Sequence, residues 1–250
     1  MNTSVVGLTA TPGRHHVGGD VEETEDLSKF YGNNLLRIRS DEGKDLEDPI
    51  EYLTDKGVLA RIERYQLESG TDIALTPQEA KAISQMLDIP ASVLRKLGEN
   101  EQRTNLIVTQ VIALANKHEF QTIVFAPSKK NATEIAQMLK IRDCAAYAVT
   151  GDTHIIDRRR AIQQFKDGEM KVLVNFGVLT TGFDAPNIEA VVVARPTTSV
   201  VLYSQMIGRG LRGPAMGGKP LCHLVDVVDN ITNMPEVGQA FNYFNEFYES

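Results

Sequence analysis

Residues 121–176 read "QTIVFAPSKKNATEIAQMLKIRDCAAYAVTGDTHIIDRRRAIQQFKDGEMKVLVNF", and their pattern decides the fold. "QTIVFAP" (121–127) predicts a short buried strand, and "SKKNATEIAQMLK" (128–140) a helix opening on a serine cap. "AAYAVTG" (145–151) predicts a second strand and "IIDRRRAIQQFKDG" (155–168) a helix stopped by glycine. "MKVLVNF" (170–176) closes the stretch as a third strand. Strands apolar throughout leave no face for water, so they belong to a parallel sheet covered by helices on both sides.

Outward from this stretch the alternation continues. "IEAVVVAR" (188–195) predicts a strand, "SVVLYSQMIGR" (199–209) a helix, and "LCHLVDVV" (221–228) a strand. The fold class is therefore α/β, a three-layer sandwich with a mainly parallel central sheet. Ligands of such sheets gather at the carboxyl ends of the strands. The polar loops Ser128-Lys129, Thr150-Gly151-Asp152, Thr180 to Pro186 and Pro196 to Ser199 should share that rim.

The amino-terminal part reads differently. "SVVGLTA" (4–10) predicts a strand, and residues 13–48 are rich in Gly, Asp and Glu, with a helix near 22–31. "GVLARIERYQLES" (57–69) alternates as a strand does, "TPQEAKAISQMLD" (76–88) opens on a capping box, and a further helix covers 101–118. This divides the chain into 1–48, a lead-in strand and helical element over 49–118, and the α/β domain over 119–250. Nothing in 49–118 signals chemistry.

Composition sets bounds. The 250 residues are 42% hydrophobic and 24% charged, with a net charge of −7. That balance argues against nucleic-acid binding by bulk electrostatics and leaves room for a local basic strip such as "DRRRAIQQFK" (157–166). No apolar run reaches the roughly 18 residues of a membrane span and no signal-peptide pattern opens the chain, so a reduced, cytoplasmic setting is expected. Cys144 and Cys222 then read as structural thiols. The five histidines are scattered, which speaks against a zinc site, and the absence of Trp against an aromatic stacking platform.

Four segments, in order, resemble the second motor domain of superfamily-2 helicases and translocases. "IVFAPS" (123–128) resembles motif IV, "VLTTGFDAP" (178–186) motif V and "QMIGRGLR" (205–212) motif VI, while "TGDTHIIDRRRAIQQFKDGEMKVLV" (150–174) fits the interval between IV and V. "LTATPGR" (8–14) resembles motif III, which ends the first motor domain. The wording is nearest the DEAD/DEAH-type branch that includes DNA-repair helicases and restriction-enzyme motors. The resemblance implies a RecA-like fold and an ATP-dependent DNA or RNA helicase or translocase as the parent protein.

Residue by residue, the resemblance implies that Arg209 and Arg212 face the ATP cleft, with Arg212 the better candidate finger. Guanidinium suits this work because it stays charged and meets phosphate oxygens bidentately. Taken alone the two would equally be surface arginines or a carboxylate clamp. Gln205, one turn before Arg209, becomes a polar contact of the cleft, and the glycines of "GRGLRG" read as room for phosphate to approach. Gly182 gives close backbone approach, and Asp184 accepts from a ribose hydroxyl or pairs with an arginine. Ser128, Lys129, Thr150, Gly151, Thr180 and Thr181 would hold the nucleic-acid backbone without reading sequence. Thr9, Thr11 and Arg158 take coupling roles, Arg158 by bracing motif V.

The departures matter as much. The family requires a phosphate-binding loop and an acidic magnesium box, and neither occurs here. "GPAMGGKP" (213–220) fits G-x-x-x-x-G-K only superficially, because Pro220 replaces the magnesium-binding hydroxyl and a strand follows. ATP and magnesium are thus expected on a first motor domain that these 250 residues do not contain, and this chain alone would be inactive. A restriction-enzyme motor fragment and a non-catalytic scaffold with the same fold are the alternatives.

Overall fold

The computed structural model describes residues 29–30, 39–44, 46, 48–85, 88–179 and 185–234. A six-stranded parallel sheet organises them, with strand order β1-β6-β5-β2-β4-β3. The strands are β1 (Arg61–Ala74), β2 (Thr122–Phe125), β3 (Ala146–Val149), β4 (Val172–Asn175), β5 (Ala190–Val193) and β6 (Leu221–Thr232). Every residue of β2, β4 and β5 is buried, as expected of strands covered on both faces. This is the RecA-like three-layer arrangement expected from the sequence.

Among the described residues, α1 (Pro49–Asp55) precedes β1, and six helices connect the strands: α2 (Pro77–Ser84), α3 (Ala91–Glu99), α4 (Glu101–Ile112), α5 (Lys129–Ile141), α6 (Ile155–Lys166) and α7 (Val200–Ile207). One face of the sheet packs on α4 and α5 through Ile107, Val108, Val111, Ile135 and Leu139. The other packs on α6 and α7 through Ala161, Phe165, Tyr203, Met206 and Ile207. Crossovers running along the sheet toward β3 use the first face, and those running back use the second, so all share one hand.

Three boundaries moved. The helix expected over 101–118 ends at Ile112 and continues as a π-turn over Ala113–Lys117. The strand expected over 57–69 lies at Arg61–Ala74, and β6 runs past 228 to Thr232. These two long strands pair well beyond the rest of the sheet, interrupted by a register shift between Glu68 and Asp72 that holds Gly70 at φ +66°. Their overhang buries Ile73 and Ile231 against Ile83, Val93, Leu94 and Leu97 of α2 and α3. The element over 49–118 is thereby built into the same sheet. The expected strand at 4–10 and most of the helix near 22–31 lie outside the described residues.

Candidate functional site

Helix α7 carries the two arginines to a fixed place. It opens on Ser199, whose hydroxyl accepts from the Leu202 N–H at 3.2 Å, and closes at Gly208. Arg209 folds back over the last turn, its Nε donating to the Gln205 carbonyl at 3.1 Å. Around Arg212 the main chain is fixed from two sides. It forms an antiparallel bridge with Leu59, and its carbonyl accepts from the Lys219 N–H at 3.0 Å. Both arginines are half-buried, beside the amino ends of β1 and β6. The eight-residue helix sets them about 12 Å below the carboxyl rim.

One expectation about this segment is corrected. A Cβ on Gly210 would overlap Cys222 Sγ and come within 2.8 Å of Val191 Cγ2. The glycine is needed because the chain lies flat against β5 and β6 in the core, and it makes no room for phosphate. The decoy "GPAMGGKP" forms a 3-10 turn at Pro214–Met216 leading straight into β6, and Lys219 pairs with Glu189 at 3.0 Å.

The parallel sheet brings the loops after β2, β3 and β5 to one rim, as anticipated. The polar groups there are largely engaged with one another. The Ser128 hydroxyl caps α5 by accepting from Asn131 N–H at 3.1 Å. Thr150 is buried; its N–H donates to the Thr153 hydroxyl at 2.9 Å, and its own hydroxyl accepts from Asp152 N–H at 3.3 Å. Arg158 clamps this turn, its Nη2 donating to the carbonyls of Thr150 at 3.1 Å and Thr153 at 3.4 Å. Lys129 spans from β2 to β3 to meet Asp152 at 2.6 Å, an exposed pair worth little in water. Gly151 faces open space. Thr9, Thr11, Thr180, Thr181, Gly182 and Asp184 lie outside the described residues.

Sequence reasoning missed three carboxylates that hold this framework, the buried Asp226 and Asp229 and the half-buried Asp88. β6 points Asp226 toward the α7 layer and Asp229 toward the α4 layer, following its two-residue alternation. Asp226 accepts from Tyr203 Oη at 2.8 Å and Arg64 Nε at 2.7 Å; burial pushes its carboxyl up, while Arg64 and Tyr203 oppose that rise. Asp229 takes Arg103 through Nε at 2.7 Å and Nη2 at 2.9 Å, and Ser69 Oγ at 2.6 Å. Asp88 gathers the loop after β5. The available signal was the acid set among apolar residues in "LVDVVD" (224–229), since a charge in a covered strand needs a partner. At the end of β4, Asn175 Oδ1 accepts from the N–H groups of Val178 and Leu179 at 3.2 and 3.0 Å, fixing the chain as it enters the motif V segment.

Among the described residues no helix is long and apolar enough to cross a membrane, and no three His, Cys, Asp or Glu side chains are grouped to hold a metal ion.

A parallel sheet of this order, with an arginine pair one helix-length below a rim of turns, defines a class that comparison with known proteins makes specific. Residues 101–213 match the helicase conserved C-terminal domain family. A putative ATP-dependent helicase, IRC3 of Saccharomyces cerevisiae, is 40% identical over 107 residues, which is 43% of this chain and 15% of that protein. The ATP-dependent RNA helicase DBP3 of Yarrowia lipolytica is 32% identical over 99 residues, 40% of this chain and 19% of that one. The chain thus spans less than a fifth of these relatives. Among solved structures, a fragment of a putative HsdR subunit of a type I restriction enzyme from Vibrio vulnificus superposes with a TM-score of 0.57 at 21% identity, covering 88% of this chain and 38% of that one. It shares the fold.

Proposed function

We propose that this chain is the second motor module of an ATP-dependent nucleic-acid helicase or translocase. It would supply Arg209 and Arg212 to a triphosphate held by another domain. The observation that carries the reading is the placement of both arginines at the end of α7, with backbone fixed on either side of Arg212. A backbone so anchored fixes the point from which the Arg212 side chain reaches, which suits charge developing on a transferred phosphoryl group. Arg212 is assigned the finger, Arg209 and Gln205 the neighbouring phosphate contacts, and Asp184 the ribose or arginine contact. The described residues hold no magnesium ligand set and the sequence no phosphate-binding loop, so both are assigned to the partner domain. Magnesium held there would neutralise charge on the bridging phosphate oxygens.

The rim above would carry the nucleic-acid backbone. Gly151 offers an exposed main chain, and Lys129 can exchange Asp152 for a phosphate at small cost because their pair is exposed. Ser128 and Thr150 act by shaping the turns that present these groups. Thr180 and Thr181 are assigned to the same backbone contacts, and Arg158, Thr9 and Thr11 to coupling. Contacts of this kind follow the strand without reading its bases.

The test is nucleic-acid-stimulated ATP turnover by the full-length parent protein, with single-stranded DNA and RNA compared. Arg212→Ala should lower kcat by about 10³-fold or more, as loss of an arginine finger does. Unchanged turnover would overturn the assignment and favour a scaffold role.

A further inference from the structure

The arginine helix is gripped at both ends by the segment that precedes the helicase domain match. At its far end, Ala60 N–H donates to the Leu211 carbonyl, Gly213 N–H to the Val58 carbonyl and Ala215 N–H to the Gly57 carbonyl, each at 2.9 Å. At its near end stands Asp88, in the turn between α2 and α3. One of its carboxylate oxygens accepts from the Thr197 hydroxyl at 2.7 Å and the Thr198 N–H at 3.0 Å; the other accepts from Arg195 Nη2 at 2.9 Å. Thr197 is buried, and its hydroxyl accepts in turn from Ser199 N–H at 3.0 Å. Ser199 is the cap of α7. A continuous chain of hydrogen bonds therefore runs from Asp88 through Thr197 to the first turn of the helix that leads to Arg209.

We propose that Asp88 is a positioning residue for the arginine helix, and that the β1–α2–α3 element serves to set the orientation of α7. The proposal rests on the functional reading above. α7 is only eight residues long, so a tilt at Ser199 is carried to Arg209 and Arg212 with little damping. Asp88 sits outside the helices that cover the sheet, and α2 and α3 are held to each other independently of it. There, Glu79 accepts from Ser92 Oγ at 2.6 Å and Lys96 Nζ at 3.1 Å. That separation allows the positioning role to be told apart from simple attachment of the element.

In the full-length parent protein, Asp88→Ala should lower nucleic-acid-stimulated kcat by about ten- to a hundredfold, the scale of a small misplacement of a catalytic group, with KM for ATP changed less than about twofold. Asp88→Asn keeps the two acceptances from Thr197 and Thr198 and loses only that from Arg195, so it should recover most of the rate. Ser92→Ala loosens the same element without touching the chain to α7, and should leave kcat at the wild-type value. Equal kcat losses in Asp88→Ala and Ser92→Ala, or a kcat within twofold of wild type in Asp88→Ala, would overturn the proposal. If the wild type shows no stimulated turnover, the functional reading fails, and amide exchange decides the positioning claim by itself. Asp88→Ala must then speed exchange at Leu202 and Tyr203 in α7, and unchanged protection there would refute it.

Discussion

Arg103 and Asp229 are both fully buried, and the cost of separating them can be worked from their partners. Arg103→Met removes the two bonds to Asp229 and a third, from Nη2 to the Ala194 carbonyl at 2.6 Å. Asp229 is left among apolar neighbours, with Ser69 Oγ still donating to it at 2.6 Å. A buried charge stripped of its partner costs about 3–5 kcal/mol, against a total stability of about 5–15 kcal/mol for a domain. Asp229→Leu does comparable damage by stranding the guanidinium. The double variant Arg103→Met with Asp229→Leu removes both charges and should lie within about 2 kcal/mol of wild type, because apolar replacement of a buried pair is close to neutral. Urea unfolding of the three variants, with slopes compared, gives the coupling directly. Single-variant losses that add within about 0.5 kcal/mol in the double would refute the claim that the two charges are buried as a unit.

Further expectations follow from the same geometry. Gly210→Ala should destabilise by about 1–3 kcal/mol through overpacking, with part of the loss restored when Cys222→Ala removes the nearest clashing sulfur; equal melting of the two would contradict the packing. Glu79, held down to about 2 chiefly by the hydrogen bond from Ser92, binds a proton more readily in the unfolded chain than in the folded one. The stability it confers is complete above its ordinary value near 4.5 and is lost as the pH falls toward 2, and Glu79→Gln should flatten that part of the acid-melting profile. Burial pushes the Cys222 thiol up to about 12 and raises that of Cys144, so a disulfide reagent at pH 8 should label neither in the native protein and both in denaturant. Tyr203→Phe removes the hydroxyl that donates to Asp226 and should cost about 1.5–3 kcal/mol in thermal or urea unfolding.

How far the sequence reached depended on whether a signal was local. The capping box at Thr76 and Glu79 is present as expected, because it needs only four consecutive residues and a helix to follow. The strands of 121–176 fall within two residues at each end of their expected positions, because residues apolar on both faces admit one environment. β6 overran its expected end because residues 229–232 look polar. They extend only because β1 lies alongside, pairing Asp72 with Asn230 and Ala74 with Thr232. The loops after β2, β3 and β5 share one rim as expected, yet the sequence overstated what their residues offer. Whether the Thr150 hydroxyl is available depends on its being closed into a turn with Asp152 and Thr153.

By itself, then, the sequence determined the parallel α/β architecture and the shared rim of the loops after β2, β3 and β5, which rest on periodicity along one chain. Tertiary structure alone decided what the chain's elements are fastened to. Gly210 meets Cys222 and Val191, Asp229 meets Arg103 across 126 residues, and Asp88 meets the loop before the arginine helix across more than 100. Such contacts leave no periodic trace. A buried carboxylate announces in the sequence only that a donor must exist, and the fold alone decides which one.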